Sequence, residues 1–184
     1  LILLNFGKKN PMKLTKLAAS ALAVASVVLS AGVASAQPVQ PIGTNGNYIG
    51  AGIAAGATSG GQGNDQAQLG GNVQGRYAIS QTPLSLRGSL LYGGDAAAIM
   101  PIVTYDAPIA RNTNVYFGGG YSFVTSEGQN TPLGNQNAPV VTLGAESEVS
   151  PNIIAYGDAK WGIDAYRNSD ADAVSFQAGL GYRF

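Results

Sequence analysis

Cysteine and histidine are both absent from the 184 residues. Without thiols there is neither a disulfide nor a thiolate metal site, whatever the compartment. Without imidazole the commonest general base and the commonest transition-metal ligand are missing, and hydrolysis through a Ser–His pair is excluded. Charge is scarce too: only 11% of residues are Asp, Glu, Lys or Arg, where a soluble surface carries roughly a quarter to a third. Four of the ten bases (Lys8, Lys9, Lys13 and Lys16) precede residue 37, so residues 37–184 hold six bases against ten acids, a net charge of −4. A mildly acidic chain with no basic cluster argues against nucleic acid as a partner. Gly50-x-Gly52-x-x-x-Gly56 has the wrong spacing for a dinucleotide fingerprint and reads better as the glycine face of a strand. No cofactor is expected.

The one long apolar run lies near the front. From Met12 the chain reads MKLTKLAASALAVASVVLSAGVASA, with Lys13 and Lys16 at its start, an Ala- and Val-rich stretch from Leu17 to Val33, and Ala34-Ser35-Ala36 before Gln37. A basic start, an apolar middle and a small-residue cleavage site predict a secretory signal peptide over residues 12–36. A transmembrane anchor is the competing reading, but Ser and Gly interrupt the run and the small-residue site follows at once. Residues 1–11 are expected to be an upstream translated extension. Residues 37–46, punctuated by Pro and Gly, are expected to form an extended lead-in.

What remains alternates. Eight segments carry apolar residues at every second position, the period of a strand with one greasy face. They are 47–57, 67–79, 84–92, 97–106, 114–124, 139–149, 153–165 and 173–184. The last is the clearest: Val174, Phe176, Ala178, Leu180, Tyr182 and Phe184 alternate with Ser175, Gln177, Gly179, Gly181 and Arg183. The fourth is the least regular, because Met100 and Ile102 fall on its polar face. Lengths of about 10 residues suit tilted strands that cross a membrane. Longer polar connections (58–66, 125–138, 167–172) alternate with tight ones (80–83, 150–152) and an intermediate one (107–113), while 93–96 is short where a long loop fits the pattern.

Alternation alone is equally compatible with a soluble β-sandwich or a lipocalin-like barrel whose apolar face points inward. The polar face separates the readings. Of its charges, Arg76, Arg87, Asp106, Glu146, Glu148, Asp158, Lys160, Asp164 and Arg183 all share the phase of Gly, Ser, Asn, Gln and Thr. Such a face is too small and too sparsely charged for a solvated exterior. It suits the crowded interior of a narrow barrel, with the apolar face toward lipid and Tyr77, Tyr92, Tyr105, Phe123, Tyr182 and Phe184 near strand ends as interfacial girdles. The expected fold is all-β, an eight-stranded antiparallel up-and-down transmembrane β-barrel over residues 47–184.

In signal peptide, strand count, loop asymmetry and the closing Tyr182-Arg183-Phe184, the chain resembles the small OmpA/OmpX-like outer-membrane barrels. The resemblance implies an outer-membrane location, lipid as the surrounding partner, and assembly by periplasmic chaperones and the barrel-insertion machinery. It also implies that Tyr182 and Phe184 form part of the insertion signal. A monomer is expected.

In an eight-strand barrel, strand n faces strand n+4, which sets Arg76 opposite Glu146 and Glu148, and Arg87 opposite Asp158 and Lys160. These six are expected to form an ion-paired lumen network, because a buried charge without a partner is strongly destabilising. Two carboxylates poised for acid–base chemistry are the competing reading, but substrate would have no access to a filled lumen. Asn168, Asp170 and Asp172 are equally well explained as a solvated loop or a weak cation contact, and no EF-hand spacing is present. No catalytic or metal residues are assigned. The expected function is a structural or surface-interaction role with an occluded lumen. A narrow channel for small solutes or ions is the first alternative, and an envelope lipid-modifying enzyme a distant one.

Overall fold

The computed structural model describes residues 43–60, 68–94 and 96–184. Its strands are β1 (Tyr48–Gly56), β2 (Leu69–Ala78), β3 (Leu84–Gly93), β4 (Ala96–Ala110), β5 (Thr113–Val124), β6 (Ala138–Ser150), β7 (Ile153–Gly162) and β8 (Ala173–Arg183). Each pairs antiparallel with its sequence neighbour, and β8 returns to β1 through a ladder from Tyr48↔Arg183 to Gly56↔Ser175, closing the barrel. Closure leaves no free sheet edge and gives the ladder N–H and C=O groups internal partners.

The connections sort by length onto the two ends. At one end, where β1 begins and β8 finishes, the turns are tight and use Gln81, Asn112 and Asn152 in the left-handed region, at φ of 62°, 61° and 63°. The short amide side chains of the two asparagines tolerate that conformation better than most. This is the turn end. The opposite, loop end carries the connections after β1, β3, β5 and β7.

Two of the expected segments change length by more than two residues at one end. β4 runs on to Ala110 rather than stopping at Asp106, so the expected loop over 107–113 shrinks to a turn at Arg111-Asn112. Pro108 lacks the N–H for a regular ladder, and the register to β5 shifts between Pro108 and Ala110 instead of ending there. β7 stops at Gly162 rather than Ala165, and Asp164, at φ 52°, is an exposed loop residue instead of a lumen charge. Of the expected lead-in, residues 43–46 are described: Gly43 sits at φ 64° and bridges to Arg111, residues 44–46 run on without a turn or bend, and Thr44 is buried in the turn-end mouth. The predicted signal peptide, residues 1–11, residues 37–42, Asp65 and Asp95 lie outside the described residues.

The two faces have the orientation argued from charge scarcity. Leu69, Phe117 and Trp161 are 74%, 56% and 49% exposed, whereas Glu146, Lys160 and Asp158 are 0%, 1% and 3% exposed. A soluble fold buries its large apolar side chains and wets its ions, so this inverted distribution needs an apolar solvent outside. One departure lies inside. Met100 and Ile102 point into the lumen together with Leu91, Val140 and several alanines, so the loop-end half of the interior is apolar rather than polar.

Candidate functional site

The lumen is filled in layers, and the lowest layer is a ring of four charges. Arg76 and Arg87 are direct Cα partners on β2 and β3, a juxtaposition of like charge that two carboxylates relieve. Asp106 from β4 accepts from Arg76 Nη2 at 2.7 Å and from Arg87 Nη2 at 3.0 Å. Glu146, reaching across from β6, lies 3.2 Å from Arg76 Nη1 and 2.9 Å from Arg87 Nη1. Each arginine therefore touches both acids, and the ring carries no net charge. Remaining donors are also satisfied: Arg76 Nε donates to Ser85 Oγ and Arg87 Nε to Thr104 Oγ1. The lead-in closes the ring from below, where Thr44 O accepts from Arg76 Nη1 at 3.0 Å and from Asn114 Nδ2 at 2.7 Å. A planar guanidinium is suited to such multiple forked contacts, which a lysine cannot reproduce.

Above the ring sits a tyrosine layer. Tyr116 presents its ring face to Arg87, whose guanidinium carbon is 3.6 Å from the ring centroid, and its hydroxyl donates to Asp158 Oδ2 at 2.9 Å. Asp158 in turn accepts from Lys160 Nζ at 2.7 Å. Tyr48 and Tyr156 stack at 6.0 Å between centroids. Gln74 and Asn72 tie the layer together, with Gln74 Nε2 donating to Tyr48 OH, Tyr156 OH donating to Asn72 Oδ1, and Asn72 Nδ2 donating to Gln177 Oε1.

Room for these rings comes from glycine on the neighbouring strands. A Cβ at Gly144 would lie 2.5 Å from both Asp158 Cβ and Tyr116 Cζ. Gly144→Ala is accordingly expected to cost about 1–3 kcal/mol through overpacking, read from the urea midpoint of the detergent-folded barrel by Trp161 emission. Gly88→Ala is the control: its Cβ would meet nothing within 4 Å on the outer face, and it should stay within about 0.5 kcal/mol.

The third layer is apolar and is capped by a loop. Leu91, Met100, Ile102 and Val140 form it with small side chains of the loop-end rim, and Leu133 from the β5–β6 loop, itself 0% exposed, packs into it.

The structure places the six charges expected in the lumen as follows. Arg76 reaches Glu146. Glu148 instead sits at the rim and accepts from Arg183 Nη1 and Asn152 N, because it lies nearer the turn, beside the register shift between Glu148 and Ser150. Arg87 pairs with Asp106 and Glu146 rather than with Asp158 and Lys160, since Tyr116 stands between them. Asp158 and Lys160, two apart on one strand and so on one face, neutralise each other. Tyr182 and Phe184 face outward at the turn end, both more than half exposed. The sequence puts Asp106 on the inward face but leaves it out of the ionic network, and it does not assign Tyr48, Tyr116 or Thr44 to the site. The first three share the inward phase of their strands, with Thr104, Gly50 and Asn114 respectively, and that phase is the available signal.

A family model described as the outer membrane protein beta-barrel domain matches residues 21–184. The chain belongs to the outer-membrane β-barrel family. Its place is accordingly the outer membrane, and the exposed apolar belt is the lipid-facing surface. Comparison with curated proteins gives no match. Solved barrels are similar in fold. Neisserial surface protein A has a TM-score of 0.54 at 16% identity, covering 75% of this chain and 97% of its own. OprG of Pseudomonas aeruginosa has 0.53 at 11%, covering 77% and 97%. The attachment invasion locus protein Ail of Yersinia pestis, solved with the heparin analogue sucrose octasulfate, has 0.51 at 16%, covering 77% and 100%. At these identities the likeness is of fold and assigns no activity.

Proposed function

We propose that this outer-membrane barrel is a non-conducting, non-enzymatic envelope protein that acts through its mass in the membrane and its outward loops. The observation that supports this most directly is the filling of the lumen along its length: lead-in, charge ring, tyrosine layer, apolar layer and loop. A channel needs a continuous wetted path, and the apolar layer around Met100 and Leu133 interrupts one. The carboxylates that acid–base chemistry would use are engaged, Asp106 and Glu146 each by two arginines. In this reading the turn end is periplasmic, Tyr182 and Phe184 serve the insertion machinery after chaperone delivery, and the protein is a monomer.

The loop end does not favour a polyanion such as the sulfated ligand of Ail. Its described charged residues are Glu127, Asp164, Arg167, Asp170 and Asp172, four acids to one base, which repel sulfate. The test is electrical. The folded protein in planar bilayers is expected to give no discrete conductance steps, and reproducible steps from the wild type would transfer the assignment to a narrow channel.

A further inference from the structure

We propose that the two seals of the lumen are of different kinds, and that the β5–β6 loop is a displaceable lid while the charge ring is permanent. The inference rests on the occluded-lumen reading and adds to it where, and how, the occlusion can be relieved. The loop is built as a preformed unit. Thr131 N and Oγ1 both donate to Gly134 O, at 2.9 and 2.7 Å, and Gly134, at φ 91°, closes a tight turn that presents Pro132 and Leu133 inward. It spans the mouth. From its roots on β5 and β6 it reaches the opposite wall, where Pro132 atoms lie 3.0 and 3.3 Å from where a Cβ at Gly70 and at Gly93 would stand.

The wall that receives it is made of the smallest side chains. Ala54, Ala96, Ala98, Ala138 and Ala173 line the rim, buried by the loop and by one another. These strands close the barrel without help from the loop, so the space it occupies is written into the wall and outlasts its departure. What holds it shut is a latch of loop-to-loop hydrogen bonds at the water-facing end. Asn135 N donates to Ala165 O at 2.9 Å, Gln136 Nε2 to Asp164 O at 2.8 Å, and Arg167 N to Asn135 Oδ1 at 2.7 Å. Water can replace such bonds as the loop lifts. The ring below has no such exit, because its four charges come from four strands of the closed sheet. Loops of this kind occupy the low-stability end of local opening, and core strands the high end.

The native chain has no cysteine, so one engineered thiol reports one position. Ala98→Cys puts a thiol beneath the lid, and Ser85→Cys puts one beside the ring. Each is treated with a small membrane-impermeant thiol reagent on the folded barrel, with gel migration confirming folding. With no other change, the thiol at position 98 should label slowly but faster than the thiol at position 85. Adding Leu133→Asp, or the milder Asn135→Ala that removes the latch acceptor for Arg167, should speed labelling at position 98 by at least about tenfold, since labelling tracks the open population. Position 85 should be unchanged. Equal rates at the two positions with the lid intact, or no acceleration at position 98 in either folded lid variant, would overturn the lid. Acceleration of both positions together would also overturn it, as general loosening. Rapid labelling at position 85 with the lid intact, together with current from the wild type in bilayers, would instead overturn the occluded-lumen reading.

Discussion

Glu146→Ala should destabilise the barrel by about 3–5 kcal/mol, the usual consequence of removing one partner from a buried ionic group. The reason is local. Glu146 touches both Arg76 and Arg87, which face each other as direct cross-strand partners. Its loss leaves two buried guanidinium groups with Asp106 as their one carboxylate, and Asn114 Nδ2 loses one of its acceptors. The effect is measured as the urea midpoint of the folded barrel in detergent. A second substitution separates charge imbalance from lost packing. In Arg76→Met/Glu146→Ala the pair Arg87–Asp106 remains and the ring is again neutral, so the double variant should recover part of the loss, a non-additivity expected only of coupled sites. A Glu146→Ala barrel within about 0.5 kcal/mol of wild type would show that water solvates the ring and that the lumen is wet there.

Leu143→Arg is expected to cost about 2–4 kcal/mol in a bilayer, because an arginine on the lipid face near the membrane midplane loses its hydration. Leu143 is 58% exposed near the middle of β6. On a soluble protein a residue so exposed tolerates charge within about 0.5 kcal/mol. The same replacement at Gln129, exposed in the β5–β6 loop, keeps the arginine in water and serves as the reference. Denaturant titration in lipid vesicles reads both. A Leu143→Arg barrel as stable as Gln129→Arg would remove the case that this face meets acyl chains. The contrast is worth measuring because the surface is otherwise uniform: large apolar side chains, small residues, and near the turn end a Thr113–Ser147 hydroxyl pair that bond each other at 2.9 Å.

The parts of the fold that can be read in advance are those governed by alternation. A period of two needs no partner to be visible, so the eight strands and the outward course of Leu69, Phe117 and Trp161 are legible. Irregularities are less so. Met100 and Ile102 break the polar face of β4, and read singly they look like noise. In the barrel they line up with Leu91, Val140 and Leu133 as an apolar layer, which becomes visible only when strands distant in sequence are set at one height. The β5–β6 loop carries no periodicity at all, and nothing in Thr131-Pro132-Leu133-Gly134 announces that the leucine is buried. The docking of the lead-in in the mouth is not legible either, because Thr44 is held there by an acceptor offered to Arg76 and Asn114, residues of β2 and β5.

The amino-acid order by itself determined the inside and the outside of this protein. Side-chain phase is a property of each strand alone, and so few charges cannot cover a surface in water. The choice of ionic partners was made only by the closed barrel. Whether Arg87 meets Asp158 or Asp106 depends on strand stagger and on Tyr116 standing between two groups, distances of a few ångströms that no one-dimensional spacing contains.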